Sequence, residues 1–534
     1  MNLSKLLIKL KIDKVLLYKL GICITTLLAV FFYLDFDEIY HLPPQSTHHW
    51  RQSDGFSMAL NYYQFNLSLF KPEMHNILGG NGRAVGEFPI LYYITGQLFR
   101  VFGVSYAVFR IVHFLPLVLS LLYVAYFLLK KVNMPLITVL SIVMLLFACP
   151  LISYYGLNYL PNVPSLGFFF IGCSMLLDYL FFDNSSKKVP SKLIWSSVFV
   201  CLSALLKPTT VTSYCAFIGI VFLSWLFPRF APYIRQEKKI PILLSFLVIL
   251  AVSVLWFYYA AYYKKINNAT YFLIDILPYW KIKNQELLKF INERLQTLWL
   301  PAIAHKYIIR LSIMLAVFLV IISLIKRHYS ILVFFISGLL LDTLVFYLWY
   351  EAYADHDYYL INFYGFAFVV FILSLYYLNS YQLVNIYVPK IKNAIYFFIL
   401  VLVTIGLTQS KKILEERYAP NSPWKENFNT HFYEPELKAY IKSIGLTPKT
   451  KVVSIPDLSV NSTLCLLNLK GITQLYYGYQ WSHDLSSLSS TAKQLGIKYL
   501  VVCSPEWTVR EDFKAIKLKP IGAYKSISFY EFID

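Results

Sequence analysis

The sequence has few charged residues for its length. Only 14% of its 534 residues are Asp, Glu, Lys or Arg, whereas 58% are hydrophobic and 18% are aromatic. Soluble proteins carry about 25% charged residues, so this composition excludes an ordinary water-soluble domain. Apolar runs near the ~20 residues that cross a bilayer as helix recur along the chain. They lack the alternation of a membrane β-barrel, so the sequence predicts an α-helical polytopic membrane protein.

Motifs that mark several common enzyme classes are also missing. The chain has no P-loop, no G-x-G-x-x-G, no G-x-S-x-G and no H-E-x-x-H. Nothing therefore indicates ATP hydrolysis, dinucleotide chemistry or a serine hydrolase. The seven cysteines include no C-x-x-C pair. Cys465 and Cys503 lie in the polar C-terminal part, where a disulfide between them is an open alternative that one isolated pair supports only weakly.

The formal net charge is +19, but its distribution does not indicate nucleic acid binding. No nucleic-acid-binding motif accompanies the basic residues. Many of them lie in short segments between apolar runs, where Lys and Arg mark the cytoplasmic side of a membrane. The lipid bilayer is therefore the expected partner of this charge.

The apolar runs predict about eleven transmembrane helices. The basic N-terminal flank places the N-terminus in the cytoplasm, and the basic loops between spans then all fall on that side. The C-terminus is expected outside, which places it in the periplasm or extracellular space. The predicted spans are 17–34, 108–129, 134–154, 163–182, 192–206, 210–228, 240–262, 307–325, 331–350, 361–378 and 394–409.

Composition divides the chain into two predicted domains. Residues 1–410 form the transmembrane domain, which includes a large first outer loop at 35–107. Within that loop, Ser57–Phe65 and Phe88–Phe102 are expected to be helices lying at the membrane surface. Residues 411–534 are polar and predict a small extracytoplasmic α/β domain, with strands at Lys451–Ile455, Tyr499–Cys503 and Ser526–Tyr530 and a helix at Leu485–Leu495.

The first outer loop gathers the residues best suited to chemistry. It reads His48-His49-Trp50-Arg51-Gln52-Ser53-Asp54-Gly55. Asp54, with Arg51 beside it, can act as a general base that takes a proton from an acceptor hydroxyl. The simpler interpretation of Asp54 is a helix N-cap or an exposed ion pair. Glu87 can bind a divalent cation or orient a phosphate-binding group, and its simpler interpretation is a solvated loop carboxylate.

Two further corners outside the spans carry candidate site residues. In Asp355-His356-Asp357, His356 could help bind a metal and the adjacent Tyr358 could contact substrate, although no full ligand set is visible. The simpler interpretation is a solvated loop tip. Lys207 can recognise a phosphate as a point charge, or it can be a lysine that reaches the membrane surface. At another corner, Asn158 and Asn162 are expected to be helix caps.

Taken together, these segments resemble the GT-C superfamily of membrane glycosyltransferases, which includes protein O-mannosyltransferases and bacterial aminoarabinose transferases. The family's first outer loop carries an acidic residue before a helix at the membrane surface, then a Glu-x-Pro segment, then a Phe-Gly pair and an arginine. This chain has Asp54, then Glu87-Phe88-Pro89, then Phe102-Gly103 and Arg110. The strings Trp50–Asp54 and His356–Tyr359 are similar to a bacterial subgroup called family 39.

The resemblance implies an inverting glycosyltransferase with Asp54 as base and a polyprenyl-phosphate sugar as donor. The acceptor would be a glycan, a lipid or a protein on the outer face of the plasma (inner) membrane. Trp50, Arg51, Glu87, Lys207, Asp357 and Tyr358 are assigned to substrate binding on this basis, and Glu87 and His356 to a possible divalent metal cation. The chain departs from the aminoarabinose transferases, which have a lysine where this chain has Phe88. A second outer acidic residue is replaced by Asn158 or Asn162, which weakens the case for a cation.

Two other classes stay open on the sequence alone. A polymerase or ligase of lipid-linked glycans is also polytopic with a large outer loop, but it would use Arg and His instead of a first-loop Asp. A transporter would carry charges along its path within the membrane. Against a transporter, the charges lie outside the predicted spans, and no inverted repeat is visible.

Overall fold

A computed structural model describes residues 13–78, 80–183, 191–269, 276–380, 388–419, 430–477 and 484–533. The α-helices in these ranges are α1 (Lys14–Tyr33), α2 (Phe36–Ile39), α3 (His49–Phe65), α4 (Ile90–Phe102), α5 (Tyr106–Lys130), α6 (Leu136–Leu145), α7 (Pro150–Gly156), α8 (Asn162–Phe182), α9 (Ser191–Leu206), α10 (Thr212–Leu226), α11 (Gln236–Ile266), α12 (Gln285–Arg294), α13 (Leu300–Ile303), α14 (Lys306–Ile325), α15 (Tyr329–Leu348), α16 (Tyr364–Ser380), α17 (Val388–Tyr418), α18 (Pro435–Ser443), α19 (Ser462–Leu467), α20 (Leu488–Gln494) and α21 (Glu511–Lys514). The strands are β1 (Lys451–Ile455), β2 (Lys470–Thr473), β3 (Tyr499–Val502), β4 (Leu518–Tyr524) and β5 (Ile527–Phe532).

The helices confirm a polytopic α-helical architecture. Within the described ranges, nine helical segments are long and apolar enough to cross a membrane. A tenth candidate is the pair α6 and α7, which is bent by 71°. The bend lies beside Pro150, which has no backbone N–H to continue α6 and begins α7 instead. The short apolar helix α9 occupies the remaining predicted span, 192–206.

By its internal contacts the chain divides into two compact units. The first, here called the bundle unit, comprises Met1–Ile39, His113–Trp256 and Asp275–Glu415. The second, here called the loop–sheet unit, comprises Tyr40–Val112, Phe257–Ile274 and Glu416–Asp534. The C-terminal sheet thus belongs to the same unit as most of the first predicted outer loop. The domain boundary at 410 stays a prediction.

The predicted C-terminal α/β fold is confirmed as a five-stranded mixed sheet with the order β2-β1-β3-β5-β4. Strand β1 pairs in parallel with β2 and β3, whereas β5 pairs antiparallel with β3 and β4. Side chains alternate between the faces, so Val452 and Val501 enter one apolar core while Val453 and Leu500 enter the other. The sequence interpretation missed β2 and β4, because neither contains a run of alternating apolar residues.

The sheet is extended at its β2 edge by a segment of the first long loop. Gly471 N–H donates to His75 O at 3.0 Å, and Ile77 N–H donates to Gly471 O at 2.8 Å. On the other side of Gly471, an added Cβ would lie 1.8 Å from the carbonyl oxygen of Val452. Only glycine allows this close approach, which explains the Lys470-Gly471 pair and fixes the loop segment against the sheet.

Helix α3 is longer than the sequence predicted. The expected helix was Ser57–Phe65, with His48–Gly55 as loop, but the helix begins at His49. The Asp54-Gly55 pair is typical of a turn. Tertiary burial overrides it, because the buried residues of α3 include every position from Gln52 to Tyr62. Helix α4 packs on α3 at Gly96, where an added Cβ would lie 2.9 Å from the carbonyl oxygen of Ala59.

Candidate active site

Asp54 lies within helix α3 and is buried, with 7% of its surface exposed. Its Oδ1 atom is enclosed and has no hydrogen-bond partner among the described residues. The interpretation of Asp54 as an N-cap or an exposed loop carboxylate is therefore wrong. The cause is the same as for the helix boundary, because packing on both sides of α3 draws this turn of helix into the interior. A buried carboxylate oxygen without a partner is costly, and such groups concentrate at functional sites.

Burial raises the pKa of Asp54 to about 7. The nearby Arg51 guanidinium opposes this shift, while the carboxylates of Glu87 and Asp457 add to it. A base is most effective when its pKa lies near the working pH, because it is then both deprotonated and basic enough to accept a proton. The environment of Asp54 therefore suits a proton acceptor at neutral pH.

Arg51 and Glu87 form an ion pair one helical turn before Asp54. An Arg51 Nη atom donates to Glu87 Oε1, and both side chains are 17% exposed. The Tyr92 hydroxyl donates to the same Glu87 oxygen at 2.6 Å. Glu87 is thus held by a cation and a phenol and is not the solvated carboxylate of the simpler interpretation. Sequence reasoning did not assign Tyr92, because one tyrosine among 44 carries no signal by itself.

Trp50 differs from its neighbours on α3 because it is exposed, with 37% of its surface accessible. Its ring meets that of His49 edge to face, with centroids 6.2 Å apart. An exposed indole beside a buried carboxylate is a suitable surface for a sugar or a prenyl chain. Its assignment to substrate binding stays a prediction.

Helix α3 is locked from its other side by a buried polar network that the sequence did not reveal. Ser57 Oγ lies 2.6 Å from His75 Nδ1, and His75 Nε2 lies 3.0 Å from Asn468 Oδ1. Burial lowers the pKa of His75 to about 3, so this imidazole is neutral at physiological pH. The Ser57–His75–Asn468 contacts join α3 to the loop segment and to the sheet domain, and they hold Asp54 three residues away.

Asp457 is a second buried carboxylate in the loop–sheet unit, but its oxygens are satisfied. Oδ2 accepts hydrogen bonds from Thr463 N–H at 2.9 Å and from Thr463 Oγ1 at 2.6 Å, while Oδ1 accepts from Ser459 N–H at 2.7 Å. Burial raises the pKa of Asp457, and these hydrogen bonds oppose the shift. Asp457 is therefore a structural carboxylate whose charge acts on Asp54 from a distance.

The remaining predicted residues lie in the bundle unit, around the 3₁₀ helix Asp357–Phe363. Asp357 is fully buried and accepts a hydrogen bond from the Tyr155 hydroxyl. Asn162 Nδ2 donates to the carbonyl oxygen of Tyr358 at 3.2 Å, so Asn162 is not the helix cap that was expected. Asn158 is not a cap either, because its Oδ1 accepts from the adjacent Tyr159 N–H.

Lys207 stands at the break between α9 and the 3₁₀ turn Pro208–Val211. Its ammonium group lies 4.1 Å from the ring centroid of Tyr359 and 6.0 Å from that of Tyr358. No described carboxylate lies within salt-bridge distance of it. A lysine that contacts only ring faces keeps its charge available for an anion.

The residues that the structure describes do not form a metal centre. Asp355 is exposed and pairs with Arg294 at 3.0 Å, whereas Asp357 points to Tyr155, so the Asp355-His356-Asp357 string does not form one ligand set. Glu87 is held by Arg51. The described ranges contain no group of three or more His, Cys, Asp or Glu side chains that could hold a metal ion. Cys465 and Cys503 are not joined by a disulfide, and the Cys503 Sγ atom lies 3.3 Å from Ser454 Oγ.

The structure thus brings Trp50, Arg51, Asp54 and Glu87 together within the loop–sheet unit. It places Lys207, His356, Asp357 and Tyr358 together within the bundle unit. The assignment of both groups of residues to one substrate-binding site stays a prediction.

No protein-family model matches the sequence, and no curated protein matches it. Solved structures do match, over nearly the whole chain. ArnT from Cupriavidus metallidurans bound to undecaprenyl phosphate has a TM-score of 0.57 at 10% identity, covering 96% of this chain and 98% of that one. The arabinofuranosyltransferase AftD from Mycobacteria has a TM-score of 0.53 at 12% identity, covering 96% of this chain and 40% of that one. The Archaeoglobus fulgidus oligosaccharyltransferase in complex with Zn and sulfate has a TM-score of 0.51 at 11% identity, covering 91% and 69%.

At these identities the likeness concerns the fold. It extends through the helical bundle and into the C-terminal region, since more than nine tenths of the chain is covered in each case. This chain is an integral membrane protein with the fold of the GT-C membrane glycosyltransferases.

Proposed function

We propose that the protein is an inverting glycosyltransferase that moves a sugar from a polyprenyl-phosphate donor to an acceptor hydroxyl, with Asp54 as the general base. The observation that carries this proposal is the state of Asp54, which is buried, has one oxygen without a hydrogen-bond partner in the described part of the chain, and has a pKa raised to about 7. The fold supports the same reaction class. One structure with this fold, ArnT, is bound to undecaprenyl phosphate, which supports the class of donor.

The chemistry requires one proton acceptor and one stabilised leaving group. The acceptor O–H gives its proton to Asp54 as the oxygen attacks the anomeric carbon of the donor. The bond from that carbon to the phosphate oxygen breaks, and the polyprenyl phosphate leaves with the electron pair. Attack from the face opposite the phosphate inverts the anomeric configuration. A phosphate leaves without being protonated, so no second acid is needed.

The Arg51–Glu87–Tyr92 contacts support Asp54 in this role. Arg51 keeps the pKa of Asp54 from rising further, while Glu87 raises it, so the pair balances the base near neutrality. The salt bridge to Glu87 also holds the Arg51 guanidinium in place, so that Arg51 does not form a direct ion pair with Asp54. Positioning of this kind is what keeps a buried carboxylate usable as a base.

Lys207 is the proposed contact for the donor phosphate. Its charge meets aromatic faces and no described carboxylate, and an ammonium in that setting gains most by binding an anion. Tyr358 and Asp357 would contact the sugar from the same corner. The reaction is written without a metal ion, because the described His, Cys, Asp and Glu side chains do not form a set of metal ligands.

The catalytic face is proposed to be extracytoplasmic, with the protein in the plasma (inner) membrane, because the basic loops predict that α3 lies on the opposite side. Polyprenyl-phosphate sugars would reach it laterally from the bilayer, and a glycan, a lipid or a protein would be the acceptor. The fold is shared with an oligosaccharyltransferase, so the donor tests should include lipid-linked oligosaccharides as well as single sugars.

The test supplies purified protein with a panel of polyprenyl-phosphate sugars and an extract of candidate acceptors. Expected results are release of polyprenyl phosphate and a product whose anomeric configuration is opposite to that of the donor. Asp54→Asn should lower release by roughly 10²–10⁴-fold, whereas Asp37→Asn, the same change on an exposed carboxylate of α2, should leave it unchanged. Retained configuration, or loss of activity only in Asp37→Asn, would contradict the assignment of Asp54.

A further inference from the structure

The bundle unit contains a cavity of about 550 Å³ that takes no part in the proposed reaction. It lies between the C-terminal halves of α5, α8 and α16, the N-terminal half of α10 and the first turns of α15. Its walls are almost entirely aliphatic or aromatic, as represented by Leu176, Ile220, Phe334 and Leu373. A cavity with this lining accepts hydrocarbon and not a sugar or a phosphate.

The cavity is long, and its polar groups gather at one end. Its lining runs along α8 from Phe169 to Phe182, a distance of roughly 20 Å at the ~1.5 Å rise of a helix. At the Phe182 end, His328 Nδ1 lies 2.6 Å from the Tyr377 hydroxyl, and the Tyr233 hydroxyl donates to Ser330 Oγ at 2.8 Å. Phe181 and Tyr376 are exposed at the same end. The cavity therefore has an apolar depth and an amphipathic, accessible mouth.

Basic residues adjoin, in sequence, the residues that line that mouth. Arg235 follows Tyr233, Lys326 and Arg327 precede His328, and all three side chains are exposed. The acidic groups nearby are engaged elsewhere. Asp178 is paired with Lys131 at 3.3 Å and with Lys192 at 3.0 Å, and Asp183 lies 3.7 Å from Lys192. Glu237 lies 4.0 Å from Arg235 and offsets part of its charge. An anionic group at the mouth would meet an excess of cations.

We infer that this cavity binds one acyl chain of an anionic phospholipid, with the lipid phosphate at the mouth near Arg235, Lys326 and His328. The basic loops predict that this end faces the cytoplasm, so the lipid would come from the cytoplasmic leaflet. The hydrocarbon core of a bilayer is ~30 Å thick, and one leaflet accounts for half of it. The cavity depth of roughly 20 Å therefore spans the apolar part of one leaflet. An acyl chain matches this depth, whereas a polyprenyl chain is several times too long to be enclosed.

The site is thus a structural lipid site, separate from the donor site and independent of whether Asp54 is the base. A chain in the cavity would fill space between α5, α8, α10 and α16 that no side chain fills. Filling an apolar void in this way restores packing contacts that its lining otherwise lacks. The lipid is therefore expected to stabilise the helical bundle without being consumed.

The test is native mass spectrometry of the full-length protein in detergent, supplied with phosphatidylglycerol or phosphatidylethanolamine. Retention of one phosphatidylglycerol per chain is expected, with weaker retention of phosphatidylethanolamine. Cys173→Phe puts a phenyl ring into the cavity and should lower retention about tenfold or more, equivalent to ~1.4 kcal/mol. Cys201→Phe is the matched control, because Cys201 lies on the apolar helix α9 and does not line the cavity.

A charge variant keeps the test valid if Cys173→Phe does not fold. Lys326→Gln should lower phosphatidylglycerol retention about fivefold, since each basic residue near an anionic lipid is worth about 1 kcal/mol. Lys306→Gln makes the same change at the opposite end of α14 and should have no effect. Equal retention in Lys326→Gln and Lys306→Gln, equal retention of both lipids, or capture of polyprenyl phosphate in their place would each overturn the inference.

Discussion

Two buried carboxylates, Asp54 in the loop–sheet unit and Asp357 in the bundle unit, differ in their hydrogen bonding. Asp357 is fully buried and accepts a hydrogen bond from the Tyr155 hydroxyl. Asp54 is nearly as buried, yet its Oδ1 has no hydrogen-bond partner among the described residues. A carboxylate that accepts a hydrogen bond is stabilised in its charged form, whereas one without a donor is driven toward its protonated form.

The difference favours Asp54 over Asp357 as the proposed proton acceptor. The hydrogen bond from the Tyr155 hydroxyl stabilises the charged form of Asp357, so protonation of that oxygen would lose part of this stabilisation. Asp54 already has an oxygen to which none of the described residues donates, and burial raises its pKa to about 7. Substitutions around Asp54 should therefore lower activity more than stability, whereas substitutions around Asp357 should lower stability more than activity.

The largest expected effect is loss of turnover in Asp54→Asn, by roughly 10²–10⁴-fold, which is the typical contribution of a positioned base. Donor binding should survive better, because the contacts to the lipid tail and phosphate remain. The measurement is sugar transfer by purified variants with matched expression. Near-normal turnover would remove Asp54 from the role of base, and Asp37 and Glu38 would become the next candidates.

Asp54→Asn should also keep the fold, because the neutral amide replaces a charge that burial disfavours. The pKa of Asp54 is raised in the folded state from its usual value of about 4, so the carboxylate costs stability as pH rises through that window to about 7. The variant escapes this cost. Its melting temperature at pH 8 should equal or exceed that of the wild type, and a large decrease would show that Asp54 has a structural role.

The second effect is on the pH profile. Only deprotonated Asp54 can accept a proton, so with a pKa of about 7 the rate should fall about tenfold per pH unit below neutrality. It should level off above roughly pH 8. The residual activity of Asp54→Asn should lack this step. A wild-type profile that stays flat from pH 5 to pH 8 would mean that the base has an ordinary carboxylate pKa or that another step limits the rate.

A third, smaller effect distinguishes the influence of Arg51 on the Asp54 pKa from that of Glu87. Arg51→Ala removes the cation that opposes the upward shift of the Asp54 pKa, so the midpoint of the pH profile should move to higher pH. If Arg51 also touches the donor phosphate, KM for the donor should rise about tenfold, the equivalent of ~1.4 kcal/mol. The double variant Arg51→Ala/Glu87→Gln removes both charges and should return the midpoint toward neutrality, while KM stays high. An unchanged midpoint in Arg51→Ala would show that the guanidinium does not act on Asp54.

The two carboxylates also show what the sequence could reveal. The helical membrane architecture and the C-terminal α/β fold could be predicted, because hydropathy, charge bias and local order determine them. The Trp50–Asp54 string could be proposed as a site from its residue types, and that assignment stays a prediction. The position of helix α3 could not. Its Asp54-Gly55 pair has the local signature of a turn, and only packing on both sides makes it helical.

Hydrogen-bond partners that are distant in sequence could not be predicted either. Tyr155 and Asp357 are separated by 202 residues, and the imidazole of His75 meets Asn468 across 393 residues. Nothing local distinguishes Tyr155 or Tyr92 from the other tyrosines of a chain that has 44. The sequence identified polar residues outside the spans as candidate site residues. Their hydrogen-bond partners could not be predicted, because they depend on a fold that brings distant segments together.

The smallest expected effects come from a matched pair of substitutions, Tyr92→Phe and Tyr155→Phe. Each removes one hydroxyl that donates to a carboxylate, Glu87 in the first case and Asp357 in the second. Tyr155→Phe leaves a fully buried carboxylate without this donor and should destabilise the protein by about 1–3 kcal/mol. Tyr92→Phe should cost less stability, since Glu87 keeps its ion pair with Arg51 and is 17% exposed.

Activity should show the reverse order. Tyr92→Phe loosens Glu87 beside the base, so kcat should fall several-fold and the midpoint of the pH profile should shift. Tyr155→Phe should lower the melting temperature while the midpoint of the pH profile stays at that of the wild type. Both are measured on the same preparations, by thermal unfolding and by donor turnover across pH. If Tyr155→Phe shifted the pH midpoint and Tyr92→Phe did not, the reactive carboxylate would be Asp357 and not Asp54.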